Sequence, residues 1–555
     1  MRVVHSGRGL VGALAVAAIL VALPAANAAN GSIRVLVGFK SEPGTSAKRL
    51  IKSVGGQVVR QYDLIPAVAA DIPADAVKSL ETSPSVSYVE EEVHRAPLGH
   101  IVPGQLYTGT PEILPWGVEG VRADDVWDAS PKNLAVDNST VPAGQGVQVA
   151  VLDSGVDMTH PDLAANLNLA DSFDFLDNDS DVSDIPGPVT GHGTATSGIV
   201  AAVDNSIGVI GTAPKAKVIM YRVCNSALND CPDSAIIAGL QEAVEDGADV
   251  VSMSFGGIGF SQALKQAVAA VGDAGLVQVA SAGNTPSPIA GARHYPSGFS
   301  EVIAVGATDI NNNMATFSTF GGHQELVAPG VGTPTTFLQG QATDVLLDED
   351  SPTARVLDPN PMSFSGAGIL NDKVLVFAGL GQATNPDPSV VAFDEINCTG
   401  KIALISRGAI TFRLKVENAF AAGCVGAIIY NNVAGNFFGT LGVPQAIPAV
   451  SLSMAEGLLL KADVDAGTTI VDLAVAATDY ESFSGTSASA PYVSGVAALV
   501  LSANSSLSSG QVREILDRTA EDLGPSERSI FFGYGLVDAL AATQCAQGVI
   551  SCKGP

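Results

Sequence analysis

Ser484-Gly485-Thr486-Ser487-Ala488-Ser489-Ala490-Pro491-Tyr492-Val493-Ser494 sets a serine where a loop runs into a helix. Gly485 lets the backbone turn tightly ahead of it. The apolar run Val496-Ala497-Ala498-Leu499-Val500-Leu501 then reads as a buried helix. Taken alone, a serine at a helix start is an N-cap whose hydroxyl satisfies free N–H groups. Three segments upstream give this serine another context.

The first is Val149-Ala150-Val151-Leu152-Asp153-Ser154-Gly155-Val156-Asp157. Its apolar run suits a buried parallel strand. Asp153 ends that strand, and open α/β sheets place their sites at carboxyl ends. The second is Thr190-Gly191-His192-Gly193-Thr194-Ala195-Thr196-Ser197-Gly198-Ile199-Val200, a histidine between glycines ahead of a small-residue helix. The chain has seven histidines, and only His192 has this setting. The third is Val279-Ala280-Ser281-Ala282-Gly283-Asn284, again a strand ending in a small-residue turn. Asp153 and Asn284 each have a plain alternative reading as a cap or turn residue, and a lone histidine is more often structural than catalytic.

In the order Asp153, His192, Asn284, Ser487, these motifs together resemble the subtilisin-like serine proteases. The resemblance covers residues 112–335 and 480–540. It implies a role for each residue. Ser487 is the nucleophile, and His192 is the base that takes its proton and later protonates the leaving amine. Asp153 holds the imidazole tautomer and stabilises the imidazolium. Asn284 and the Ser487 N–H donate to the oxyanion, with the helix dipole behind them. One position departs from the family pattern: Ala488 stands where methionine is usual. With no thioether beside the nucleophile, comparatively good peroxide tolerance is expected.

At 555 residues the chain is too long for one ordinary domain. Its 56 acids against 28 bases give a net charge of −28, which argues against nucleic acid as a partner. Arg2 and Arg8 precede an apolar stretch from Leu10 to Leu23 and a small-residue site, Ala26-Asn27-Ala28. This reads as a secretory leader, so a secreted protein with no membrane attachment after leader removal is expected. Six cysteines agree with an oxidising compartment. Nearness in sequence favours Cys224 with Cys231, Cys398 with Cys424 and Cys545 with Cys552, although six cysteines leave other connectivities open.

The expected fold class is α/β, a doubly wound, mostly parallel sheet, from the alternation of strand-like and helical runs through residue 310. Val218 to Val223, Val250 to Met253, Leu276 to Ala280 and Val302 to Val305 are the predicted strands. Asp233 to Asp246 and Gln262 to Asp273 are the predicted helices. Ahead of this lies an α+β unit with strands at 33–39 and 86–91 and helices at 45–53 and 74–81. It resembles the inhibitory propeptide of subtilisin-like zymogens, and its cleavage is expected between about Arg95 and Gly109. About 150 residues separate Leu326-Val327-Ala328-Pro329-Gly330 from the nucleophile loop, where the family has a short connection. Gly400 to Gly408 and Ala421 to Asn432 make this insert resemble a β-rich protease-associated (PA) domain. That likeness implies substrate or partner contact, restricted access to the cleft, or a stabilising lid. The organisation is therefore leader 1–28, propeptide 29–100, catalytic domain 110–335 and 480–545, insert 340–478 and tail 546–555. Asn138-Ser139-Thr140 matches a glycosylation acceptor.

By the same resemblance Ser254, Phe255 and Gly256 form a wall that pairs with extended substrate backbone. Ala282 and Gly283 line the pocket for the residue before the cut bond (S1). His294 either narrows or polarises that pocket or faces solvent. The loop Asp204-Asn205-Ser206-Ile207-Gly208-Val209-Ile210-Gly211 matches the family's calcium loop. The match implies side-chain ligands Glu112, Asp162 and Asn205 and carbonyl ligands Val203, Ile207 and Val209 for a structural Ca2+. No organic cofactor is expected. The reading is a secreted serine endopeptidase acting on protein and peptide substrates through an acyl-enzyme. It is made as a self-processed zymogen inhibited by its own propeptide, and a monomer is expected. A dedicated processing peptidase, or a latent or non-catalytic binding protein on the same fold, is the alternative.

Overall fold

The computed structural model describes residues 32–102, 111–128, 135–137, 140–184, 190–285, 293–384, 391–437, 439–524 and 528–552. The leader 1–28 and the acceptor Asn138 lie outside the described residues.

Gln148–Asp153 is buried on both faces beyond its first residue, as befits the middle strand of a parallel sheet. Seven strands lie in the order Leu326–Pro329, Ile303–Thr308, Val277–Ser281, Val250–Met253, Gln148–Asp153, Lys217–Arg222, Phe173–Asp174, and every adjacent pair is parallel. Alternate residues of the middle strand join different cores. Val149 and Val151 meet the helices His192–Ala201, Thr486–Ala503 and Ser509–Thr519. Ala150 and Leu152 meet Asp233–Glu245 and Gln262–Asp273 on the other face. This is the doubly wound sheet expected, and predicted strand and helix bounds agree with the observed ones to within a few residues. Thr486–Ala503 is long and apolar enough to span a membrane, but it is the buried central helix of the domain.

Residues 32–91 form a four-stranded antiparallel sheet in the order Gln57–Gln61, Ala67–Pro73, Ser32–Phe39, Val86–Glu91. Helices Thr45–Ser53 and Val77–Glu81 cover one face. The second is preceded by a 3₁₀ turn, Ala74–Ala76, so the expected single helix over 74–81 is divided. The other face, with Leu36, Tyr62, Ile65 and Ala69, joins the core under the helices Asp233–Glu245 and Gln262–Asp273. Two carboxylates lock the units together at those helices' N-termini. Glu90 accepts from the Gln262 and Ala263 N–H groups, each at 2.9 Å, and from the Ser261 hydroxyl. Glu92 accepts from the Ser234 N–H at 3.0 Å. Free N–H groups and the positive helix end both favour an anion there.

The insert is a nine-stranded mixed sheet with helices Phe412–Ala421 and Met454–Ala466, so it carries more helix than a purely β-rich unit. Its long outer pair, Ala342–Ser351 with Thr469–Thr478, leads directly into a second antiparallel pair, Thr333–Thr336 with Tyr480–Ser484. The insert therefore hangs on the strand that ends three residues before Ser487. Disulfides join Cys224–Cys231, Cys398–Cys424 and Cys545–Cys552, the three local pairs favoured from the sequence.

Candidate active site

The sheet's carboxyl ends bring the four motif residues together. Asp153 is the last residue of the middle strand, and His192 begins its helix. His192 reaches Asp153 because Gly193 crosses Gly155 closely: a Cβ at Gly193 would lie 2.1 Å from the Gly155 carbonyl oxygen. His192 Nδ1 is 2.7 Å from Asp153 Oδ1. The Ser154 N–H and the Thr196 hydroxyl also donate to the Asp153 carboxylate, at 2.7 and 3.2 Å. The imidazole is thereby fixed, with its ring edge-on to Phe483 at 5.2 Å between centroids.

Ser487 is the second residue of the helix Thr486–Ala503 and is not its cap, for no side chain caps that helix. Its hydroxyl donates to the Ser254 carbonyl at 2.5 Å. His192 Nε2 is buried and has no hydrogen-bond partner among the described residues. The expected serine–histidine hydrogen bond is thus absent in this arrangement, and a turn of the Ser487 side chain about χ1 is needed to make it.

The cleft is filled by the chain's own residues 94–102. His94–Pro97 lies antiparallel to Phe255–Gly256, with Pro97 opposite Phe255 and Ala96 opposite Gly256. The Leu98 N–H donates to the Ser254 carbonyl at 3.1 Å. Beyond Gly99, His100–Val102 pairs with Tyr480–Ser484. The Leu98 carbonyl oxygen accepts from Asn284 Nδ2 at 2.6 Å and from the Ser487 N–H at 3.1 Å. Asn284 is aimed by its own oxygen, which accepts from the Thr486 N–H at 2.9 Å and hydroxyl at 2.8 Å. Gly485, at φ 143°, is required here on two counts. A side chain would be strained in that conformation, and its Cβ would lie 2.2 Å from the Leu98 carbonyl oxygen.

The predicted cleft residues converge on the same strand. A Cβ at Gly256 would lie 2.9 Å from Leu98 Cδ1 and 3.4 Å from His294 Cβ, and one at Gly283 would meet the His294 ring. Ala282 is buried beside them. His294 is 7% exposed, so the solvent-facing alternative does not describe it. Burial, then Arg95, pushes its pKa down, which favours a neutral ring behind the leucine.

The proposed calcium residues are also gathered. Asn205 donates from its backbone N–H to Glu112 at 3.0 Å and from its amide to Asp162 at 2.8 Å. The Val209 N–H donates to Asp162 and the Ile207 N–H to the Asn205 oxygen. Val203 and the 205–209 loop close around these groups, with the Val203 N–H on the Asp162 carbonyl. Burial, with the charges of Asp204 and Asp162, pushes Glu112 up to about 7. Two carboxylates beside an amide oxygen fit a hard divalent cation, which would relieve the repulsion between Glu112 and Asp162.

Four features had no counterpart in the sequence reading. These are the placement of the Leu98 carbonyl against Asn284 Nδ2 and the Ser487 N–H, the two capping glutamates, Asp184 behind Asp153, and Asp233 paired with Arg95. Asp184 is held by the Ser226 and Ser154 hydroxyls, and burial pushes its pKa well up.

Comparison with known proteins places this arrangement. The profile of the subtilase family matches residues 144–357, that of the PA domain 372–460, and that of the fervidolysin N-terminal prodomain 33–92. Subtilisin E of Bacillus subtilis is 33% identical over 321 residues, 57% of this chain and 76% of that protein. The alkaline protease of Alkalihalobacillus alcalophilus is 34% identical over 281 residues, and this match spans 51% of the chain but only 64% of the relative's length. The crystal structure of a subtilisin-like protease from the Antarctic psychrotroph Pseudoalteromonas sp. AS-11 aligns with a TM-score of 0.54 at 28% identity, over 80% of this chain and all of that one. Fervidolysin from Fervidobacterium pennivorans aligns with a TM-score of 0.57 at 22% identity, over 92% of this chain and 61% of its own, a likeness of fold.

Proposed function

This chain belongs to the subtilase family, and on that premise we propose that it is a secreted serine endopeptidase, made as a zymogen that cuts its own propeptide from the catalytic domain. The observation that carries this reading is the Leu98 carbonyl, held by Asn284 Nδ2 and the Ser487 N–H with the nucleophile's helix behind it. Two donors on one carbonyl oxygen at a sheet's carboxyl end are of little structural use. They are what acyl transfer needs, since negative charge develops on that oxygen.

The maturation bond is then Leu98–Gly99. Ser487 Oγ turns from the Ser254 carbonyl, loses its proton to His192 Nε2 and adds to the Leu98 carbonyl carbon. The oxyanion accepts from Asn284 and the Ser487 N–H while Asp153 steadies the imidazolium. The C–N bond to Gly99 breaks as His192 returns the proton to the Gly99 nitrogen. Water, deprotonated by the same histidine, hydrolyses the Leu98 ester and frees Ser487. The cut propeptide stays as an inhibitor until it is degraded or dissociates, held by Glu90, Glu92 and the buried sheet face.

Glu112, Asp162 and Asn205, with carbonyls of Val203, Ile207 and Val209, would hold one structural Ca2+. Bound there, calcium would supply charge compensation and no chemistry. Residues 340–478 would be the PA-type insert, whose stalk, through Tyr480–Ser484, also forms the wall beyond the cut bond. It thus bears on substrate access directly. Secretion is supported by the apolar leader and the three disulfides.

The test is labelling with a fluorophosphonate probe, wild type beside Ser487→Ala. One adduct on the wild type, absent from the variant, is expected. No adduct on correctly processed protein contradicts catalysis and favours a latent or binding protein.

A further inference from the structure

Arg95 is the fourth residue upstream of the cut bond, and in the chain's own cleft all three of its guanidinium nitrogens donate hydrogen bonds. Its Nε and one terminal nitrogen donate to the two oxygens of Asp233, at 2.6 and 2.8 Å. Its other terminal nitrogen donates to the carbonyls of Tyr295 at 3.0 Å, Gly259 at 3.2 Å and, at the limit of bonding, Gly257 at 3.5 Å. Both side chains are fully shielded from solvent. The pocket is built from elements that cannot easily retreat. Cys231–Pro232, pinned by the Cys224–Cys231 disulfide, pairs with His94 and Arg95 on one side. Phe255–Gly256 pairs with Ala96 and Pro97 on the other.

We propose that the cleft selects arginine four residues upstream of the bond it cuts, and that Asp233 is the specificity-determining residue. This rests on the reading that Leu98–Gly99 is the scissile bond. Asp233 opens the helix Asp233–Glu245, yet its carboxylate does not cap that end, where Pro232 is the N-cap residue and Glu92 accepts from the Ser234 N–H. The carboxylate is spent on the guanidinium instead. A planar fork against a carboxylate is the geometry arginine fills and lysine does not. A neutral residue in this pocket leaves the Asp233 carboxylate and the Gly259 carbonyl without the donors that Arg95 supplies, while the Gly257 and Tyr295 carbonyls keep each other's N–H groups, and unpaired buried groups are the strongest basis for rejecting a ligand. Selection therefore comes from the cost imposed on other residues as much as from the attraction of arginine.

The propeptide could use this pocket only as its own anchor, so the test uses substrates that lack the propeptide. The self-processed wild-type protein is given blocked Arg-Ala-Pro-Leu with a chromogenic leaving group. The same peptide with citrulline, lysine or norleucine in place of arginine is compared. We expect kcat/KM for arginine to exceed that for its neutral isostere citrulline by on the order of 10²-fold. The preference should persist at about 0.5 M salt, where attraction of cations to an acidic surface is screened but a buried pair is not. In Asp233→Asn the arginine-to-citrulline ratio should fall close to one. The wild-type comparison stands even if that variant does not fold. Equal rates for arginine and citrulline on protein whose Ser487 takes the fluorophosphonate label overturn this proposal and leave the protease reading intact. Absence of the label overturns both.

Discussion

At the scale of single residues, the proposed chemistry rests on the groups around the Leu98 carbonyl. Asn284→Ala removes one of two oxyanion donors, together with the oxygen that accepts from Thr486, while the Gly283 N–H still donates to the Thr486 hydroxyl. Turnover should fall about 10²–10³-fold with KM little changed, the cost found for such a donor in subtilisin. Steady-state kinetics on a short peptide checks this, and a change confined to KM contradicts it. Gly99 is a second sharp case. A Cβ there would lie 2.3 Å from the Phe483 ring and 3.1 Å from Ser487 Cβ. Gly99→Val should leave the precursor uncut at this bond, seen as an unprocessed band, while normal processing would mean that the chain takes another path through the cleft. The sequence made Asp153, His192, Asn284 and Ser487 legible because each sits in a local strand-turn-helix motif. Leu98 and Asp233 were not legible. Their roles come from which distant segment enters the cleft, and no local pattern encodes that.

Among elements, the buried strands and long helices were readable because burial on both faces leaves continuous apolar runs. Val250–Met253 and Gln262–Asp273 keep their predicted bounds. The 74–81 segment was not read fully, since Pro73 starts it as a 3₁₀ turn before it relaxes into α-helix. The insert's sheet was harder still, because its strands pair across long sequence separations. Its stalk carries a testable liability. Glu481 is buried in the strand Tyr480–Ser484, and burial, opposed by the Thr343 N–H and reinforced by Asp344, pushes it up to about 8. A carboxyl raised in the folded state is protonated there at pH values where the unfolded chain has lost the proton. Its penalty therefore grows as pH rises from the usual carboxylate range through about 8. Glu481→Gln should raise thermal stability at pH 9 relative to wild type, by on the order of a few kcal/mol, and change it little at pH 4. Equal gains at both pH values would show that ionisation is not the cause.

For the whole molecule, three bodies share one cleft: the propeptide fills it, the catalytic sheet supplies its chemistry, and the insert's stalk closes its far side. The loop 204–211, where calcium is proposed, ties the segment at Glu112 and Ile113 to the core through the Ser206 and Gly208 carbonyls. Chelator should lower the melting temperature of the processed protein, and added Ca2+ should restore it. An unchanged melting temperature with no bound metal would contradict the site. The capping glutamates and the Leu36 face imply that removal of the propeptide, rather than the cut itself, releases activity.

The central claim is that the Leu98 carbonyl is where Ser487 acts. Intact-mass and N-terminal analysis of purified wild type beside Ser487→Ala tests it most directly. A mature chain beginning at Gly99 in the wild type, with the variant uncut at that bond, is the predicted result. A different mature N-terminus, or the same cut in Ser487→Ala, would contradict it.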